Sequence, residues 1–184
     1  MSESARPPLK LELLPVELPR VRKGAGWHVR KARVEDVDQI HDLIKYWARE
    51  SFMLIRPRSQ LYENLRDFHV VVDEDGVLLG SVALHILWAD LAEIRSLAVH
   101  PERQGEGIGR VLVEAAEAEA RLLGIPKIFA FTIQEEFFTR LGYRVTDPEA
   151  FPRKVWFECR DCPFQDNCPE VPVLKVLEES DAGS

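Results

Sequence analysis

The sequence predicts an α+β domain. Three apolar, β-branched runs follow one another between Phe68 and Val99 with only turn signals between them. Helical periods lie on both sides of this block. A glycine-rich loop joins the third of these strands to the longest helical pattern in the chain. Along the whole chain, about six to seven strands and about four helices are expected. The 184 residues are enough for one such domain with its own core.

Residues 1–26 are rich in proline and basic residues and carry no period, so they are expected to form an N-terminal extension or arm. The domain should begin at Trp27, with WHVRKA as a strand. In VEDVDQIHDLIKYWARESF, the residues Val34, Val37, Ile40, Ile44, Trp47 and Ala48 recur at helical spacing. Pro57 breaks this pattern, and Ser59 is placed to cap a short helix over QLYENLRDF. Asp73-Glu74-Asp75-Gly76 and Ala89-Asp90 mark the turns between the three central strands. IGRVLVEAAEAEARLLG predicts the long helix. Val111, Ala115, Ala118 and Leu122 form its apolar stripe, and Gly124 and Pro126 stop it. IPKIFAFT is a further strand and EEFFTRL a short helix ended by Gly142. Tyr143 to Val145 and Lys154 to Phe157 are the expected closing strands. The domain is therefore expected over 27–157, with 158–184 as a cysteine-containing tail.

The formal net charge of −7 argues against nucleic-acid binding, which needs a basic surface. No apolar run approaches the length of a membrane span, and MSESARPPLK lacks the apolar centre of a signal peptide. The three clustered cysteines do not suit a secreted disulfide framework. A cytoplasmic protein is expected.

The stretch RQGEGIG, residues 103–109, is the strongest chemical signal. Such a loop before a helix leaves backbone N–H groups to hold an anion. A dinucleotide fingerprint does not fit, because several residues separate Val99 from Gly105 and the spacing is G-x-G-x-G. The Gly-Lys-Ser/Thr of a P-loop is absent. Gln104-Gly105-Glu106-Gly107-Ile108-Gly109 instead fits Q-x-x-G-x-G between a strand and a long helix. With LAVHPERQGEGIGRVLV and FFTRLGY it resembles the GCN5-related N-acetyltransferases, over about residues 27 to 157. The resemblance implies an α/β/α domain around a mixed central sheet, with acetyl-CoA as co-substrate. It places the pyrophosphate on Gln104 to Gly109 and the start of the following helix, with Arg103 and Arg110 adding charge. The backbone of Leu97, Ala98 and Val99 would pair with the pantetheine arm and polarise the thioester carbonyl.

Two further segments, IRPRSQLYENLRDF and FPRKVWFECRDCPFQDNC, resemble the short, single-domain N-acetylglutamate synthases. The implied acceptor is L-glutamate, and the implied reaction is an early step of arginine synthesis. A dicarboxylate acceptor calls for cations, ideally arginines. Arg56 matches a glutamate-contacting position of those enzymes, Arg58 flanks it across Pro57, and Lys154 matches a basic position on the last strand. Arg95 and Glu93 stand two apart on one strand and share a face. Ile133 departs from the arginine that long-form synthases carry there. Other acceptors within the resemblance are another small amine or a protein N-terminus; a non-catalytic acetyl-CoA sensor is the reading outside catalysis. A homo-oligomer is allowed.

Glu93 matches a frequent general-base position of the family, with a structural partnership to Arg95 as the alternative. Phe138 stands where many relatives carry the tyrosine that protonates the leaving thiolate, and Tyr143 is too far along the chain to replace it. Cys159, Cys162 and Cys168 fall one short of the four ligands of structural zinc. They are expected to form a reduced, partly buried hook in preference to a zinc site, so no metal is expected.

Overall fold

The structure, a computed structural model, describes residues 16–21, 26–50, 53–151, 158–160, 162 and 164–177. Its strands are β1 (Trp27–Lys31), β2 (Phe68–Asp73), β3 (Leu78–Trp88), β4 (Leu91–Val99), β5 (Lys127–Thr132), β6 (Arg144–Val145) and β7 (Val171–Val176). Its α-helices are α1 (Val37–Glu50), α2 (Arg58–Glu63), α3 (Ile108–Leu122) and α4 (Glu135–Arg140). The strands form one seven-stranded sheet in the order β1-β2-β3-β4-β5-β7-β6. Every neighbouring pair is antiparallel except β4 and β5, which run parallel. The expected mixed sheet and α+β class are therefore present.

Period-two alternation divides the core into two layers. On one face Val71, Leu79, Val82, Leu84, Ala92 and Ile94 pack under α3. On the other, Val70, Val72, Leu78 and Ala83 pack under α1 and α2, through Val37, Ile40, Leu43, Ile44 and Leu61. Residues 16–21 of the expected arm lie against the same body. Leu18 packs on the α1 layer, and Val21 packs on the α3 layer.

Several local expectations are corrected. Val34 is exposed because the chain first makes a 3-10 turn over Val34–Asp36, and α1 starts after it. Ser59 does not cap α2. Pro57, with φ −58° and ψ 149°, is the last non-helical residue, so Ser59 already lies inside the helix. In α3 the buried stripe is Ile108, Leu112, Ala116 and Ala120, flanked by Val113 and Glu117. The expected Val111, Ala115, Ala118 and Leu122 stripe lies at the margin of that face, and Leu122 is 89% exposed. Both sets satisfy helical spacing, and alanines are too small to choose between them. Burial follows Leu112 and Val113. Gly124 ends α3 as expected: Ile125 N–H donates to Ala120 O at 2.9 Å and Gly124 N–H to Arg121 O at 3.0 Å, a Schellman closure.

β7 lies within the segment expected as a tail. It is inserted between β5 and β6, pairing Phe129 with Leu174 and Arg144 with Leu174. Pro172 disguises it in the sequence, because proline argues against an inner strand. It is tolerated here because β6 is only two residues long and pairs with Val173 and Leu174. The expected closing strand at 154–157 lies outside the described residues.

Candidate functional site

The glycine loop is built by the end of β4. After Val99 comes a 3-10 turn over Pro101–Arg103, then Gln104 and the glycines. Gly105 and Gly107 have φ of 79° and 81°, the left-handed region that glycine enters without penalty. Gly107 is the N-cap of α3 and makes no side-chain cap. Among the described residues, the first donor back into the helix is Val111 N–H, to Gly107 O at 3.1 Å. The N–H groups of Ile108, Gly109 and Arg110 therefore face out of the helix end, where the helix dipole favours negative charge.

The two loop arginines both line the cleft described below, and each is held by a glutamate of its own segment. Arg103 is fully buried, and its Nε lies 2.9 and 2.8 Å from the two carboxylate oxygens of Glu106. It braces the loop from within, and it turns the negative Glu106 onto itself. Arg110 is exposed and pairs along the helix surface with Glu114 at 2.7 Å.

His100 fixes the base of the loop. Its Nδ1 accepts the Glu102 N–H at 3.3 Å, and its Nε2 lies 3.1 Å from Pro19 O. An accepting Nδ1 requires the proton on Nε2, so the ring is neutral and donates to the arm. Burial is the main cause that pushes its pKa below the ordinary 6.5; the carbonyl of Pro19 opposes it. A depressed folded value means that the unfolded chain binds the proton first as pH falls. The stabilisation is thus complete above about pH 6.5 and is lost as pH drops through the folded value. The melting temperature should fall between pH 7.5 and 5.5, and His100→Asn should flatten that fall; parallel profiles would contradict the assignment. His69, also lowered chiefly by burial, supplies the residual slope.

A cleft of about 600 Å³ begins at this loop. It runs along Ser96 to Val99, between β4 and β5, and ends at Arg56, Glu93 and Arg95. Two features open it. The pairing of β4 with β5 extends only from Leu91 to Glu93, so the strands part beyond that point. A bulge then falls in β4 where Ser81 pairs with Ala98 but Ala83 with Arg95. Ser96 occupies it with φ 54°, a strained value for a residue with a side chain. The bulge also changes parity. Ala92 and Ile94 face the α3 layer before it, as Leu97 and Val99 do after it. Trp47 of α1 secures the parted strand, its Nε1 donating to Val99 O at 2.9 Å. Neither the bulge nor this contact has a sequence signal, since Ser96 reads as one residue of an apolar run and Trp47 as part of a stripe.

Phe138 lines the cleft and offers no proton. Tyr143 packs edge-on behind it at 5.1 Å between rings, with its hydroxyl given to Glu117 at 3.0 Å. Burial and the neighbouring Glu117 carboxylate raise its pKa, so it stays protonated there.

Beyond the parted strands the cleft gathers Arg56, Glu93 and Arg95. Arg95 Nη1 lies 3.8 Å from Glu93 Oε2, as the shared strand face requires. It also contacts Glu158, at 3.3 and 3.5 Å from the two carboxylate oxygens. Arg56 is half-buried and has no carboxylate within 4.0 Å among the described residues. Burial, and then the like charge of Arg95, push its guanidinium below the ordinary value. Two neighbouring guanidiniums lining one cleft are able to hold an anion between them.

Arg58 is elsewhere. Its Nε lies 2.6 Å from Asp38 Oδ1, and it does not line the cleft. Lys154 lies outside the described residues. Ile133 is 37% exposed and lines the cleft near Thr132. Cys159, Cys162 and Cys168 form no disulfide among the described residues. No group of three or more histidine, cysteine, aspartate or glutamate side chains able to hold a metal occurs among the described residues. Among them, too, no helix is long and apolar enough to cross a membrane.

Comparison with known proteins agrees with this geometry. The model of the "Acetyltransferase (GNAT) family" matches residues 34–143. An uncharacterized N-acetyltransferase of Chlorobaculum tepidum is 40% identical over 149 residues, covering 81% of this chain and 96% of its own. An amino-acid acetyltransferase of Mycobacterium tuberculosis is 39% identical over 135 residues, covering 72% of this chain and 77% of its own. Among solved structures, the N-acetylglutamate synthase of Neisseria gonorrhoeae, complexed with coenzyme A and N-acetyl-glutamate, superposes with a TM-score of 0.72 at 28% identity. That match covers 85% of this chain but 36% of the synthase, so the chain spans about a third of that relative.

Proposed function

The chain belongs to the acetyltransferase (GNAT) family, and on that premise we propose that its acceptor is the α-amine of L-glutamate. The coarser activity, acetyl-CoA-dependent N-acetylation, follows from the family and from a loop that fits the coenzyme. The acceptor reading rests on one observation: a single cleft joins the glycine loop to the Arg56–Arg95 cation pair. Glutamate brings two carboxylates to such a seat, and the gonococcal synthase was solved with N-acetyl-glutamate. A product of that kind would place the protein early in arginine synthesis, in the cytoplasm.

Each part of the cleft then has a task. The N–H groups at Gly105 to Arg110 and the dipole of α3 hold the pyrophosphate. The parted backbone of Leu97 to Val99 aligns the pantetheine arm and offers an N–H to the acyl oxygen as charge develops there. Acetyl-CoA supplies the activated thioester. Arg56 and Arg95 hold the carboxylates so that the amine points up the cleft. Glu93 receives the ammonium proton, directly or through one water. An α-amino group in a peptide has a pKa of about 7.7–8.0, and the adjacent carboxylate of a free amino acid holds it higher, so the amine arrives as an ammonium and needs this base. Phe138 gives no proton to the departing thiolate. A thiol pKa of about 8.5 makes that tolerable.

Release of CoA, followed with a thiol reagent against a panel of free amino acids and short peptides, tests the acceptor. L-Glutamate should give the highest kcat/KM. A peptide or a neutral amino acid at the head of the panel would overturn the glutamate reading and leave the N-acetyltransferase intact. Coenzyme binding without turnover on any amine would support a sensor.

A further inference from the structure

We propose that Glu158 is an internal anion that closes the acceptor seat, its carboxylate occupying on Arg95 the place that an acceptor carboxylate takes. This rests on the reading of Arg56 and Arg95 as that seat. Both carboxylate oxygens of Glu158 approach the same nitrogen, Arg95 Nη1, at 3.3 and 3.5 Å. Charge-assisted pairs normally close to about 2.7–2.9 Å, so this contact is loose and exchangeable. Its charge also reaches Arg56, where it favours the cationic form.

Glu158 is the carboxylate in this cluster that is able to leave. Its side chain is 36% exposed, against 3% for Glu93. It stands at the start of a hook of consecutive turns. Cys162 N–H donates to Cys159 O at 3.2 Å, Gln165 N–H to Cys162 O at 3.1 Å, and Asn167 N–H to Phe164 O at 3.0 Å. The hook then passes Glu170, which lines the same cleft, and is anchored in the sheet by β7. The hook therefore carries a carboxylate to the acceptor end, while β7 anchors its far end in the sheet.

Charge balance gives the device a purpose. With Glu158 in place, its carboxylate offsets part of the positive charge of Arg56 and Arg95. With Glu158 displaced, the seat is one unit more positive, and an acceptor carboxylate restores that charge where a neutral side chain does not. An amine without a side-chain carboxylate competes poorly for Arg95, so Glu158 selects acidic acceptors by exclusion.

The test uses the full chain saturated with coenzyme A, titrated calorimetrically with glutarate, a dicarboxylate with no amine. Glu158→Gln keeps the side-chain shape at a half-exposed position, and Glu158→Ala serves as a second variant, with melting curves checking that both fold. Both should bind glutarate about threefold to tenfold more tightly than the parent chain. Equal or weaker binding, or no binding to any of the three, overturns the proposal; weaker binding would make Glu158 a ligand of the acceptor. The two readings fail separately. Tighter glutarate binding in the variants with no acetylation of glutamate by the parent chain removes the glutamate reading and keeps the internal anion. Acetylation of glutamate with unchanged glutarate affinity does the reverse.

Discussion

Glu93→Gln is expected to lower kcat by about 10²–10⁴-fold, the usual worth of a positioned general base, while leaving the KM for the acceptor nearly unchanged. Glu93 is 2% exposed and lines the cleft at the last residue of β4 that pairs with β5. Its carboxylate thus sits where the strands part, the place at which the proposed reaction brings thioester and amine together. The glutamine variant keeps shape and polarity but has no charge to receive a proton. Its defect should shrink as pH rises, because more of the amine arrives neutral. A defect of constant size across pH 6.5 to 9 would mean that Glu93 only positions Arg95, 3.8 Å away. The base would then have to be another carboxylate or a water chain.

Arg56→Ala should raise the KM for glutamate at least tens-fold and change that for acetyl-CoA little. Losing one partner of a desolvated charge pair costs about 2–5 kcal/mol. Arg56 already bears a cost in the free protein, since burial and Arg95 both act against its charge. An incoming carboxylate relieves that cost, so the interaction is stronger than for a solvated arginine. Arg56→Lys should recover only part of the loss, because an ammonium cannot present the planar fork. Equal effects on both substrates would show that Arg56 shapes the cleft without touching the acceptor. Arg58→Ala is the internal comparison: paired with Asp38 outside the cleft, it should leave both constants near their starting values.

What the sequence could convey was local. The central three strands, α3 and the glycine loop are written in alternation, helical period and turn chemistry over short windows. Glu93 and Arg95 share a face because strands have period two. The face of α3 was not legible, because an alanine-rich helix offers two stripes of equal spacing and only packing on the sheet chooses between them. The Ser96 bulge was not legible because its cause is tertiary: β4 must leave β5 while keeping β3. Arg56 and Arg58 look alike in sequence and are separated only by the turn at Pro57, which sends one into the cleft and the other onto Asp38. Glu158 lies in the cysteine-containing segment, but nothing there points to Arg95; their contact spans 63 positions of sequence.

The most direct measurement is a crystal structure of the protein with coenzyme A and N-acetyl-L-glutamate bound together. The predicted complex has the pyrophosphate on the N–H groups between Gly105 and Arg110. It has carboxylate oxygens within about 3 Å of the guanidiniums of Arg56 and Arg95, and the acetamide beside the parted β4. A ligand whose carboxylates lie beyond reach of both arginines would contradict it.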